Sequence, residues 1–89
     1  MIRRTVYFSG QVQGVGFRYT ALQAARGYDV TGYVRNLPDG RVELVVEGPR
    51  EHVEGFLAEV QSEMSPYIRD AAQQDSPATG EFDGFGVRR

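Results

Sequence analysis

The feature that most constrains the fold is a glycine-rich stretch between a strand pattern and a helix pattern. Residues 2–9 alternate apolar and polar side chains, as expected of a β-strand with one buried face. The next residues carry three glycines and end in an arginine: Gly10-Gln11-Val12-Gln13-Gly14-Val15-Gly16-Phe17-Arg18. Because glycine has no Cβ, the backbone can adopt positive φ and bring several N–H groups together in an anion-binding nest. The stretch therefore predicts a strand, a loop that can hold a phosphate, and a helix from about Phe17.

Arg18 is predicted to lie at the mouth of this nest. A helix that begins at about Phe17 directs its unpaired first N–H groups and the positive end of its dipole toward the same point. The planar guanidinium of Arg18 can bind two phosphate oxygens at once. A plainer interpretation stays open on spacing alone, in which Gly14 and Gly16 only form a tight turn and Arg18 is solvated.

The middle of the chain predicts a helix followed by a β-hairpin. Apolar residues recur at helical spacing over residues 17–28, and Gly27 stands where a helix stop is expected. Residues 30–35 and 42–47 alternate as strands, with Glu43 and Glu47 on the face opposite the apolar residues. The turn between these strands contains Pro38 and an Asp-Gly pair, which are typical turn residues.

The last third of the chain predicts a second helix and at least one more strand. Apolar residues at steps of three and four over 53–64 form an amphipathic stripe that follows Gly48-Pro49. Residues 68–75 are a weaker strand candidate, and residues 82–87 are expected to return as a short final strand. The order βαββαβ predicts an α+β ferredoxin-like two-layer sandwich, an antiparallel sheet with two helices on one face, as a single domain over residues 1–89.

Composition sets the broad class of protein. A chain of 89 residues, 40% hydrophobic and 25% charged, is typical of a soluble globular domain with one core. The absence of cysteine fits a cytoplasmic location, although a disulfide-free secreted protein has the same composition. No segment approaches the roughly 20 apolar residues of a membrane span. A net charge of -2 provides no broad basic field for nucleic acid, so any anion must be recognised locally.

Two further polar residues are candidates for chemistry. Asn36 stands at the junction of a strand and the following turn, where an amide can donate to an oxygen and accept from a water. Asparagine is also a common turn-forming residue, and that alternative stays open. His52 is the only histidine, and its place in the polar part of the second helix predicts a solvated surface residue.

Two stretches resemble the signatures of the acylphosphatase family, in particular its small stand-alone bacterial and archaeal members. The first signature is the glycine-rich stretch at residues 10–18. The second is Gly32-Tyr33-Val34-Arg35-Asn36-Leu37-Pro38-Asp39-Gly40-Arg41-Val42-Glu43. The resemblance covers residues 4–64 and returns at residues 80–88. Tyr33 stands where we expect tryptophan in the family, a substitution that keeps an aromatic ring.

The resemblance implies hydrolysis of the carboxyl-phosphate bond of small acyl phosphates, without a metal or organic cofactor. Asn36 resembles the asparagine that orients the attacking water, and Arg18 resembles the arginine that binds the phosphoryl group. The backbone amides that are expected to share this task belong to Val12, Gln13, Gly14, Val15, Gly16, Phe17 and Arg18. The resemblance also implies inorganic phosphate as product and competitive inhibitor, and a monomeric enzyme.

Two other functions remain to be weighed against this expectation. One is a non-catalytic module of the same fold that binds phosphate or carbamoyl phosphate without turning it over. The other is an RNA-binding module of the same topology, which stacks bases on aromatic residues of its central strands. Residues 41–47 offer no such aromatic residue and the chain is slightly acidic, so neither a nucleic-acid partner nor a membrane partner is expected.

Overall fold

The computed structural model describes residues 1–89, with two helices packed on one face of a five-stranded sheet. The elements are β1 Ile2–Gly10, α1 Phe17–Ala25, β2 Thr31–Asn36, β3 Val42–Gly48, α2 Arg50–Met64, β4 Ile68–Pro77 and β5 Phe85–Arg88. The strand order is β4-β1-β3-β2-β5, so β1 and β3 occupy the centre of the sheet. The predicted α+β ferredoxin-like sandwich is confirmed, and the weak strand candidate at residues 68–75 is a full strand.

The sheet is mixed, whereas the sequence predicted an antiparallel one. The pairs β1–β3, β1–β4 and β2–β3 are antiparallel, as expected. The exception is β5, which runs parallel to β2 with Gly32 opposite Phe85 and Val34 opposite Val87. The chain leaves β4 at one edge, crosses the sheet face that carries no helix, and reaches the other edge in the direction of β2. Residue alternation does not encode the direction of pairing, which this crossing determines.

The core lies between the sheet and the two helices. Alternate apolar residues of the central strands face the helices, and Phe8 packs against Phe17 with ring centroids 4.8 Å apart. The amphipathic stripe of α2 is buried against them, with Val53, Phe56 and Val60 fully covered. Burial of each such side chain contributes about 1.5–3 kcal/mol to stability. Phe17, the first residue of α1, belongs to the same buried cluster, so this packing also holds α1 and the loop before it against the sheet. Neither helix is long and apolar enough to cross a membrane.

The opposite face of the sheet, the helix-free face, carries buried charges that are paired. Glu47 is only 2% exposed, and its carboxylate accepts a hydrogen bond from Arg3 Nε at 2.6 Å. Backbone N–H groups of Thr79 and Gly80 donate to the same carboxylate at 3.0 Å and 2.9 Å. Burial disfavours the charged form, but these donors outweigh it and lower the pKa of Glu47 to about 2. The segment that crosses toward β5 is therefore anchored on a charged glutamate.

A second buried carboxylate on the helix-free face is satisfied in the same way. Glu43 accepts hydrogen bonds from Arg35 Nε at 2.6 Å, from Tyr33 Oη at 2.9 Å and from Tyr7 Oη at 3.1 Å. Burial opposes its ionisation, yet these donors hold the pKa of Glu43 below its ordinary value. The sequence predicted that Glu43 and Glu47 face away from the core, but their burial depends on partners from other strands and from the segment that crosses toward β5.

Candidate active site

The glycine-rich loop joins the central strand β1 to the start of α1. Gly14 has φ 79° and Gly16 has φ 84°, a left-handed region that L-residues rarely adopt. A Cβ added at either glycine would meet no atom within 4 Å, so backbone conformation and not crowding favours glycine here. Gly16 precedes the first residue of α1, and no side chain caps the helix. The first N–H groups of α1 therefore have no side-chain acceptor and are open to an anion.

The loop, the start of α1 and the end of β2 enclose a surface cavity of about 480 Å³. A cavity of this size accommodates a small phosphate ester or anhydride. Its lining consists of Val12, Gly14, Gly16, Phe17, Arg18, Tyr19, Leu22, Asn36, Val87 and Arg89. Arg18 and Asn36, which come from the two predicted signatures, thus lie at the same cavity. Of the predicted loop residues, Gln13 and Val15 do not line it.

Arg18 is exposed at this cavity and has no partner of its own. Its guanidinium makes no hydrogen bond or ion pair within the protein, whereas Arg3, Arg4 and Arg35 each bind a carboxylate at 2.6 Å. No aspartate or glutamate side chain lines the cavity, although two arginines do. An anion that enters therefore meets unpaired positive charge and unpaired backbone N–H groups. This arrangement favours the anion-binding interpretation of the loop over a simple turn.

Asn36 ends β2 and keeps its side-chain amide free. Its backbone pairs with Val42 of β3, but its side chain makes no hydrogen bond within the protein. The turn that follows is closed by other groups, since Leu37 N–H donates to Arg41 O at 2.8 Å and Gly40 N–H donates to Leu37 O at 3.1 Å. The side chain of Asp39 also accepts from Arg41 N–H at 3.0 Å. The turn therefore does not use the Asn36 amide, which remains available at the cavity.

His52 lies outside this site. It is half-buried and not fully solvated, and its Nδ1 accepts a hydrogen bond from the Asp29 N–H at 2.9 Å. Its ring also lies edge-on to Tyr28, with centroids 6.2 Å apart. These contacts join α2 to the loop before β2. No group of three or more histidine, cysteine, aspartate or glutamate side chains is placed to hold a metal ion.

Sequence reasoning missed the side-chain contributions of five residues at or next to the cavity. Four of them line it, namely Tyr19 and Leu22 from α1 and Val87 and Arg89 from the end of the chain. Tyr19 is 67% exposed and Val87 46% exposed, large values for such side chains. Tyr19 lies off the apolar stripe of its helix, whereas Leu22 and Val87 were interpreted only as apolar residues of a helix and of the final strand. The fifth is Gln13, which was predicted to contribute its backbone amide, but whose side chain also binds the turn after Asn36.

Comparison with known proteins agrees with this geometry. The family model described as Acylphosphatase matches residues 4–87. An acylphosphatase of Trichormus variabilis is 57% identical over 90 residues, covering 100% of this chain and 88% of the relative. One of Natronomonas pharaonis is 48% identical over 92 residues, covering 99% and 96%. The crystal structure of acylphosphatase from Bacillus subtilis superposes with a TM-score of 0.90 at 29% identity, over 100% of both chains. With its two signatures meeting at one cavity and its whole length matched, the chain belongs to the acylphosphatase family.

Proposed function

We propose that the cavity beside the glycine-rich loop is the site at which this acylphosphatase hydrolyses acyl phosphates. The observation that carries the proposal is the meeting of an unpaired guanidinium, Arg18, with a free amide, Asn36, above unpaired helix N–H groups. Such a site attracts a dianionic phosphoryl group and offers a polar group that can hold a water. Family membership supplies the substrate class, and the geometry supports the roles of the residues.

In this mechanism the loop amides of residues 12–18 and Arg18 hold the phosphoryl oxygens. Water attacks phosphorus, an O–P bond forms, and the P–O bond to the acyl group breaks with its electron pair leaving on the carboxylate. Charge on the phosphoryl oxygens is stabilised by donors that are already in place, so catalysis depends on positioning and electrostatics. A carboxylate is a good leaving group and needs little protonation.

Asn36 would hold the attacking water in line with the bond that breaks. Its amide oxygen accepts a hydrogen bond from the water, which directs a lone pair of the water oxygen toward phosphorus. The proton that the water loses can pass to a phosphoryl oxygen. We therefore assign no protein general base, and His52 has no part in the reaction.

The direct test is hydrolysis of benzoyl phosphate and acetyl phosphate without added metal. We expect turnover well above the spontaneous rate, with inorganic phosphate as a competitive inhibitor because it fills the same nest. Turnover at the spontaneous rate, with phosphate still bound, would favour the alternative of a non-catalytic phosphate-binding or carbamoyl-phosphate-binding module. Absence of inhibition at high phosphate would contradict the proposed pocket.

The role of Asn36 has its own test. Asn36→Ala removes the amide that orients water but leaves the nest and Arg18 in place. We expect kcat to fall by about a hundredfold or more while the inhibition constant of phosphate changes little. A folded Asn36→Ala variant with a near-normal kcat would refute the role of this residue.

We also propose that residues 1–89 act as one domain and as a monomer in the cytoplasm. A contiguous core of 17 buried residues supports the single domain. The cytoplasmic location rests on the cysteine-free composition. Sedimentation of the active enzyme tests the monomer, since activity confined to a larger species would contradict it.

A further inference from the structure

The side chain of Gln13 joins the phosphate loop to the turn that follows Asn36. Its Nε2 donates to Leu37 O at 2.8 Å and to Arg41 O at 2.9 Å. Both protons of one amide group are therefore used on the same turn, 24 and 28 positions away in the sequence. No other side chain of residues 10–18 makes a hydrogen bond. Gln13 is thus the only polar side-chain link from the loop to the rest of the protein.

The two acceptors are the carbonyl groups that close the turn. Arg41 O also accepts from Leu37 N–H, and Leu37 O also accepts from Gly40 N–H. Gln13 binds at the base of this turn, and Asn36 is the residue immediately before it. A displacement of the base of the turn relative to the loop would therefore displace Asn36 relative to the nest.

We propose that Gln13 is a positioning residue that sets the alignment of Asn36 with the phosphoryl group bound in the nest. The proposal rests on the proposed function. The nest is shaped locally, by the left-handed glycines and the start of α1, while Asn36 is carried by the β2–β3 hairpin. The β1–β3 ladder and apolar packing hold the two parts together as far as the Phe8–Val42 pair. Beyond that pair, the Gln13 side chain provides the hydrogen bonds between the loop and the turn. A misplacement of about 1 Å in an active site can cost about a hundredfold in rate.

Glutamine is well suited to this position. Asparagine is one methylene shorter, and an ionised glutamate has no donor and would present negative oxygens to two carbonyl oxygens. Methionine has a similar length and no charge, but it cannot donate. Gln13→Met and Gln13→Glu therefore both remove the link, and they differ in charge.

Gln11 provides a matched control two residues away. Its side chain is exposed and makes no hydrogen bond, and its backbone N–H donates to Tyr67 O at 2.9 Å irrespective of the side chain. Gln11→Met and Gln11→Glu thus make the same chemical changes in the same segment without breaking the link to the turn. The glutamate pair also controls for a new negative charge near an anion site.

The test compares kcat for benzoyl phosphate with the inhibition constant of inorganic phosphate in these four variants. For the Gln13 variants we expect kcat per folded molecule to fall about tenfold to a hundredfold, with the inhibition constant within about threefold of wild type. The Gln11 variants should match the wild type in both. Circular dichroism and urea unfolding give the folded fraction, and Gln13→Met provides the test if Gln13→Glu does not fold.

A second measurement separates positioning from a purely structural contribution. In an Asn36→Ala background there is no oriented water left to misalign, so Gln13→Met should cause no further loss of kcat. A full additional loss in that background would overturn the proposal. So would Gln13 variants with normal kcat, or with equal losses in kcat and phosphate binding. Absence of turnover in the wild type would instead overturn the proposed function, and this inference with it.

Discussion

The cavity and the helix-free face of the sheet both depend on arginines, but they use them differently. On the helix-free face, Arg3 binds Glu47 and Arg35 binds Glu43, each at 2.6 Å, and both carboxylates are almost fully buried. At the cavity, Arg18 is exposed and has no carboxylate partner. The charges of the first region are paired within the chain, whereas Arg18 in the second region has no partner within the chain.

This difference separates groups that stabilise the fold from groups that remain unpaired at the surface. A buried carboxylate with several donors would be costly to leave unpaired, so its arginine is committed to the folded state. An exposed arginine beside unpaired N–H groups contributes little to the fold and remains available to bind. Variants in the two regions should therefore separate activity from stability.

The largest effect is expected for Arg18→Ala. Losing one preorganised donor to a transition-state anion costs about 3–4 kcal/mol in other enzymes, and Arg18 carries a full charge in addition. We expect kcat/KM to fall by a factor that corresponds to at least about 3–4 kcal/mol of transition-state stabilisation. The urea unfolding midpoint should stay close to that of the wild type. Arg3→Ala is the matched control, and it should lower the midpoint while kcat per folded molecule stays normal. Equal effects of both variants on activity would show that the two regions do not separate activity from stability.

The next effect is expected for Glu47→Gln. The substitution keeps the shape of the side chain but removes the charge that Arg3 and the N–H groups of Thr79 and Gly80 stabilise. Hydrogen bonds to charged groups contribute about 1.5–3 kcal/mol, and we expect a decrease of that order in the free energy of unfolding. Kinetic constants per folded molecule should not change. A stability equal to that of the wild type would show that the buried charge is dispensable.

Much of the fold could be predicted from local patterns, while the contents of the helix-free face could not. Period-two alternation correctly indicated that Glu43 and Glu47 face away from the helices, and period-three-and-four spacing predicted α2. The partner of Glu47, however, lies 44 positions away, and its other donors come from the segment that crosses the sheet. The parallel pairing of β5 depends on that same crossing. Periodicity reports which face a residue occupies, but not what reaches that face.

The residues of the candidate site also fall into two classes, those that a local motif predicted and those that only the fold brings to the cavity. Arg18, Asn36 and the glycines were predicted because each lies in a short continuous motif whose residue types suit an anion or a water. Tyr19 looked like an ordinary exposed residue of a helix, and Val87 reaches the cavity only because β5 lies beside β2. Gln13 was predicted as a loop amide, yet its side chain forms a link that only the fold can reveal.

A smaller effect on stability is expected for Gly16→Ala. The left-handed conformation of Gly16 costs an L-residue about 1–2 kcal/mol, and no neighbour blocks a methyl group. Relaxation of this strain would turn the loop amides away from the nest, so phosphate inhibition should weaken as well. Gly84→Ala is the matched control because Gly84 also has open space around it but no positive φ. Equal losses of stability in the two variants would indicate that the conformation of the loop is not strained for alanine.

The smallest expected effect is a loss of stability at low pH, which arises from Glu47 on the helix-free face. Since the pKa of Glu47 falls from an ordinary 4.5 to about 2 on folding, the unfolded chain takes up this proton first as the pH decreases. The stabilisation by Glu47 is therefore complete well above pH 4.5 and is lost as the pH falls toward 2. Between pH 7 and pH 4 this amounts to about 1 kcal/mol.

Other carboxylates with lowered pKa values, among them Glu43 and Asp75, add to the acid sensitivity, so the share of Glu47 requires a difference measurement. Urea unfolding of the wild type and of Glu47→Gln at pH 7 and pH 4 provides it. The wild type should lose about 1 kcal/mol more than the variant over this interval, because the variant has no carboxyl group to protonate at this position. Parallel losses in the two proteins would mean that Glu47 is not held charged by its donors, and the contrast with the cavity would then rest on Glu43 alone.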